Sequence, residues 1–203
     1  MDGADSRTLI RHTRAERERL AGVLSALTPE QWNAESLCAR WRVRDVAAHL
    51  TMPYRMKRSA VLLGLIRAGL NFNRFAEGEA RQAADTMGGD ELAALLHRNA
   101  TNPWNPPGGG PADALGHDVI HGLDITEALG LPAAPVERVA LVLAGTTSRQ
   151  VKYFGVDLKG VRLRAADTDI SVGDGPREDW MPAKEVLLTI TGRREVHPIG
   201  RTD

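Results

Sequence analysis

The residues from Gly116 to Ile125 include two histidines and an aspartate with the spacing for metal chemistry: His117, His121 and Asp124. Wound as a helix at about 100° per residue with His117 at zero, His121 falls near about 40° and Asp124 near about 340°. Two imidazoles and a carboxylate share one narrow stripe. Ile120 and Leu123 flank it on one side, Ala114 and Ile125 on the other. The spacing therefore predicts that the stripe faces the core. Buried imidazoles and carboxylates need partners. His-x-x-x-His on a helix sets two ring nitrogens one turn apart, as a divalent metal requires. The pair alone also fits two satisfied core histidines, and a third ligand elsewhere separates the readings.

A candidate third ligand lies upstream. Val43, Val46, Ala47 and Leu50 form the apolar stripe of a helix starting near Val43, and His49 lies beside Val46 on it. Pro53 kinks or ends that helix. Before it, Ser6 is expected to cap a helix to about Leu27, with Leu9, Leu20, Val23, Leu24 and Leu27 inside. Its charged run, Arg14 to Arg19, reads as a solvated face. Thr28 and Pro29 open a short helical turn. Cys38 reads as a small apolar residue, since no basic partner is evident near it.

Helical texture resumes from about Arg55 to Phe72, and Ala76 to Gly89 reads as loop. Asp90 is expected to cap a helix through about Asn99. Asn102 to Pro111, rich in Pro and Gly, is irregular and serves as a linker or as a lid carrying Trp104. The histidine helix then spans about Ala112 to Leu129, closed by Gly130 and Pro132. Pro135 starts a further helix to about Tyr153. After Gly155 the texture changes. Val161 to Arg164 and Thr168 to Val172 alternate as strands, and Ala183 to Thr191 returns to helix before Gly192. The expected organisation is a helical body, 1–155, with a β-plus-helix appendage, 156–203.

Composition limits the function classes. The 26 basic and 26 acidic residues balance, which excludes a strong pull toward nucleic acid or an anionic membrane. The acidic start, Met1 to Asp5, is unlike a signal peptide. No apolar run reaches the roughly 20 residues of a membrane span. One cysteine excludes an internal disulfide and fits a reducing compartment, so a cytoplasmic protein is expected. Gly108-Gly109-Gly110 lacks the spacing and lysine of a phosphate-binding loop, and no Gly-x-Ser-x-Gly elbow is present.

Trp41-Arg42-Val43-Arg44-Asp45-Val46-Ala47-Ala48-His49-Leu50 resembles the entry to the second helix of the DinB-like proteins. It is most similar to their actinobacterial branch, the mycothiol-dependent maleylpyruvate isomerase family; rich Ala, Arg and Gly usage separately resembles that of a high-GC genome. His121-Gly122-Leu123-Asp124-Ile125 with Ala128-Leu129-Gly130 resembles the branch's second signature. Gly160 to Arg193 resembles a shortened sterol-carrier-protein-like domain. The resemblance implies a mainly α fold, a DinB-like four-helix bundle with a small α+β appendage. It also implies a divalent metal, usually zinc, held by His49 and His121. The remaining ligand falls four residues before His121, where the isomerase has glutamate and this chain has His117. Asp118 takes that role instead if the helix is rotated.

Three neutral ligands leave the metal's charge to act on an open position. The resemblance implies mycothiol as cosubstrate, a small-molecule thiol meeting an electrophilic substrate. Asp124 is placed to accept a ligand's free N–H, and Arg193 is a candidate to hold an anionic group. No side chain is assigned a catalytic role. A thiol transferase or isomerase is the first expectation. A metal-dependent hydrolase and a non-catalytic metal- or ligand-binding protein are the alternatives. A homodimer is left open.

Overall fold

Asp5 opens the first helix: its carboxylate accepts from the Thr8 N–H at 2.7 Å, which makes Ser6 the first helical residue. The computed structural model describes residues 5–196. The acidic start before Asp5 and the last part of the expected appendage, 197–203, lie outside them. The helices are α1 (Ser6–Ser25), α2 (Pro29–Asn33), α3 (Val43–Arg55), α4 (Arg58–Arg67) and α5 (Phe72–Thr86). They continue with α6 (Gly89–Arg98), α7 (Pro111–Thr126), α8 (Val136–Gly145) and α9 (Ser148–Tyr153). Strands β1 (Val161–Ala165), β2 (Ser171–Val172) and β3 (Arg177–Met181) precede α10 (Ala183–Ile190). The chain is mainly helical, with a small three-stranded sheet near its end.

Helix α1 packs on α6 and α7, and α3 packs on the same two, so these four close a ring of contacts. Helix α5 lies against α3, and α8 joins α7 to α10. One apolar cluster fills the ring with Leu20, Leu24, Val46, Leu50, Leu92 and Ile125. A second joins Leu115, Val119 and Leu123 of α7 to Val139 and Leu143 of α8, Leu163 of β1 and Leu187 of α10. Helix α7 feeds both clusters, and this keeps its polar stripe inside the protein. In the sheet, β1 is central, antiparallel to β2 and parallel to β3, with Leu163 opposite Val172 and Asp179. Among the described residues no helix is long and apolar enough to cross a membrane.

The structure corrects several expectations. Ala76 to Gly89 is not loop: α5 buries Phe75, Ala76, Ala80, Ala83 and Ala84 on one face. Alanines at i, i+4 and i+7 are a helical stripe whose small size hides it from hydropathy. The run Arg14 to Arg19 is not wholly solvated, since Glu16 and Arg17 are fully buried. Glu16 pairs with Arg19 and Arg138 at 2.6 and 2.7 Å. Pro53 does not end α3, which continues to Arg55. Gly88, not Asp90, precedes α6. The helix after Pro135 breaks at Thr146, where Thr147 and Gln150 cap α9 reciprocally. Strand β3, Arg-Glu-Asp-Trp-Met, is a polar edge strand without an alternating apolar face to announce it.

Candidate metal centre

Two helices aim the site. Asp45 accepts from the Arg42 N–H at 2.8 Å, and its carboxylate grips the Arg42 guanidinium, which anchors the start of α3 one turn before His49. Pro111 begins α7, and Asp113 accepts from the Gly110 N–H at 2.8 Å. Helices α3 and α7 cross, and there His49, His117 and His121 each offer one ring nitrogen, all within 4.8 Å of one another. The structure thus brings together the three histidines expected as ligands.

Asp118 turns away from the cluster. Its Oδ1 accepts from His117 Nδ1 at 2.9 Å and its Oδ2 from Arg17 Nε at 2.6 Å. Asp124 does the same for His121: Nδ1 donates at 3.0 Å, and Arg193 Nε and Nη2 donate at 2.9 and 2.8 Å. Each carboxylate already faces a guanidinium, so each imidazole is the donor at Nδ1 and carries its lone pair on Nε2. His117 Nε2 lies 3.3 Å from His49 Nε2, while His49 Nδ1 is buried without a partner. That 3.3 Å is about the ligand-to-ligand edge of a tetrahedron with zinc–nitrogen bonds of about 2.0–2.1 Å. The donor set and this spacing therefore fit a divalent metal.

Electrostatics favour the neutral ligand form. Burial, then the neighbouring His121 and His117, hold the His49 imidazole well below its ordinary pKa. Burial also lowers His121, against the opposing hydrogen bond to Asp124. Burial pushes the Asp124 carboxyl up, but Arg193 and His121 outweigh it and keep it below the usual range. Trp41 and Trp104 set their rings 5.2 Å from His49 and His117 respectively, edge to face.

The histidines open on a cavity of about 620 Å³, whose wall includes Cys38, Phe72, Phe154 and Arg193. Arg193, expected as a hold for an anionic group, directs its guanidinium to Asp124 and to the Thr191 carbonyl at 2.7 Å. The partnership of Asp118 with Arg17 was not legible from the sequence, because Arg17 sits in a run of charges on α1. The only available signal was its place one turn after Thr13 and three residues before Leu20, on the inner face.

A mainly helical chain with three inward histidines at a cavity defines the class: a helical protein positioned to bind a divalent metal. A family model, mycothiol maleylpyruvate isomerase N-terminal domain, matches residues 13–154. The chain belongs to that family. The match contains all three histidines. No curated protein and no solved structure matches the chain.

Proposed function

We propose that the protein is a mycothiol-dependent S-transferase or isomerase whose three-histidine centre holds zinc. The observation that carries the reading is the meeting of His49, His117 and His121 at the wall of a small-molecule-sized cavity, in a chain of this family. When bound there, a metal with three protein ligands keeps a position open and supplies the charge that turns a thiol into a thiolate. The chain's residues do the rest. His49, His117 and His121 present ring nitrogens; Asp118 and Asp124 orient two of the rings. Trp41 and Trp104 stand edge-on against His49 and His117.

The thiol comes from outside the chain. Burial, with Asp124 nearby, pushes the Cys38 thiol up to about 11, so it stays protonated at neutral pH. The ring of α1, α6, α3 and α7 supports a DinB-like four-helix bundle, and the sheet with α10 supports a shortened sterol-carrier-like appendage from residue 156. A cytoplasmic setting suits a lone unbridged cysteine.

Cobalt substitution tests this. Mycothiol or a simpler thiol should add a sulfur-to-cobalt charge-transfer band in the near ultraviolet, and His121→Ala should abolish it. An unchanged spectrum at saturating thiol, with cleavage of an ester or amide, replaces the transferase by a hydrolase. Tight metal with neither result leaves a binding protein.

A further inference from the structure

We infer that the cavity beside the histidines takes an uncharged, mainly apolar electrophile rather than a dicarboxylate. The inference rests on the thiol-transfer reading and names its second substrate class. Maleylpyruvate, in the family's name, is a dicarboxylate, and a site for a dianion needs cations free to pair with both ends. Two arginines line this cavity, Arg40 and Arg193. Arg193 spends its charge on Asp124, which is wholly buried, and drawing it away strands that carboxylate. Arg40 stands at the rim with its side chain 77 % exposed, and its nearest carboxylate is Glu77 at 3.5 Å. With Arg193 matched by Asp124, Arg40 faces Glu77 and Asp113 on the same wall, so apart from the metal the side chains leave no spare positive charge.

The remaining wall is mainly apolar, although Asn73, Thr146, Gln150 and Thr191 also reach it. Phe72, Ile120, Val142, Phe154, Leu187 and Ile190 all contribute. The cavity's size, about 620 Å³, falls within the roughly 300–1,000 Å³ of small-molecule sites. An open metal position draws one anionic atom, which the thiolate supplies in the proposed reaction. The partner that meets it then lies against hydrocarbon, where an unpaired carboxylate is costly.

Cinnamamide and cinnamate test this, being alike in shape and different in charge. Each is titrated calorimetrically into the chelated protein, where no metal draws the carboxylate, after circular dichroism shows that chelation leaves the helices intact. Cinnamamide should bind at least about tenfold more tightly. Equal or tighter cinnamate binding, or no binding of cinnamamide, overturns the inference. Phe72→Arg, at the half-exposed mouth, supplies a free cation and should narrow or reverse the preference. An unaltered preference in that variant puts the probe elsewhere and also overturns it. The cobalt–thiol band reports on the thiol reading and the probe preference on this one, so either can fail alone.

Discussion

Two of the three histidines are each braced by an aspartate that an arginine grips from a distant part of the chain. Arg17 braces Asp118 behind His117, and Arg193 braces Asp124 behind His121. A neutral amide in place of either carboxylate keeps the shape, weakens the pull on Nδ1–H and leaves a buried guanidinium unpaired. Asp118→Asn and Asp124→Asn should each lower metal affinity about 10–100-fold, read by competition with a chromophoric chelator. Unchanged affinity in both would show that the carboxylates only pack. Cys38, with its thiol held near about 11, belongs to a different regime. Its thiolate is present only as pH climbs toward that value, so alkylation by iodoacetamide should be slow at neutral pH and rise steeply above about pH 9. Fast labelling at pH 7 would make Cys38 itself a candidate thiol beside the histidines. At this scale the histidines and Asp124 were legible because helical spacing alone sets their angle. Arg17 and Asp118 were not, because a buried ion pair between distant elements has no local signature.

Small residues let α7 approach α1 and α5 approach α3. A side chain at Gly122 would meet Leu20 at 3.0 Å and the Glu16 carboxylate at 3.1 Å, so α1 and α7 nearly touch there. Ala80, fully buried, plays the same part on α5. Ala80→Leu forces extra methylenes into a filled core and should destabilise by about 1–3 kcal/mol, seen as a lower denaturation midpoint with little change in slope. A neutral result would reveal a void beside α5. These contacts explain why helices built on large apolar residues, such as α3 and α7, could be read from sequence. Helix α5 could not, because its stripe of alanines looks polar overall. Strand β3 escaped for another reason: its pairing with β1 is set by backbone hydrogen bonds, not by a buried face.

Across the molecule, the stretch after Gly155 shares its core with the helices before it. Leu163, Val186, Leu187 and Ile190 are buried in the cluster that holds Leu115, Val119 and Val142. Lys184 also meets Glu127 at 2.9 Å. The division at Gly155 is therefore best tested by cutting. A chain ended at Lys159 uncovers several of these side chains, each worth roughly 1.5–3 kcal/mol when buried. It also loses Arg193. Its melting temperature should fall by at least about 10 °C relative to the full chain, measured by circular dichroism. An unshifted transition would establish the helical body as self-sufficient. The change of texture was plain in the sequence, while the shared core was not, since packing between distant segments appears only in three dimensions.

The two arginine braces also carry an order in time. Arg17 is made before the histidine it serves, whereas Arg193 follows Asp124 by 69 residues. At about 5–20 residues per second of synthesis, the second brace arrives roughly 3–14 s after the carboxylate it must hold. During that interval the growing chain has all three histidines but only one steadied by its full brace. Metal capture should therefore tighten late, once Arg193 has emerged and folded back, and ribosome-bound chains stalled before and after that residue should differ in how firmly they retain the ion.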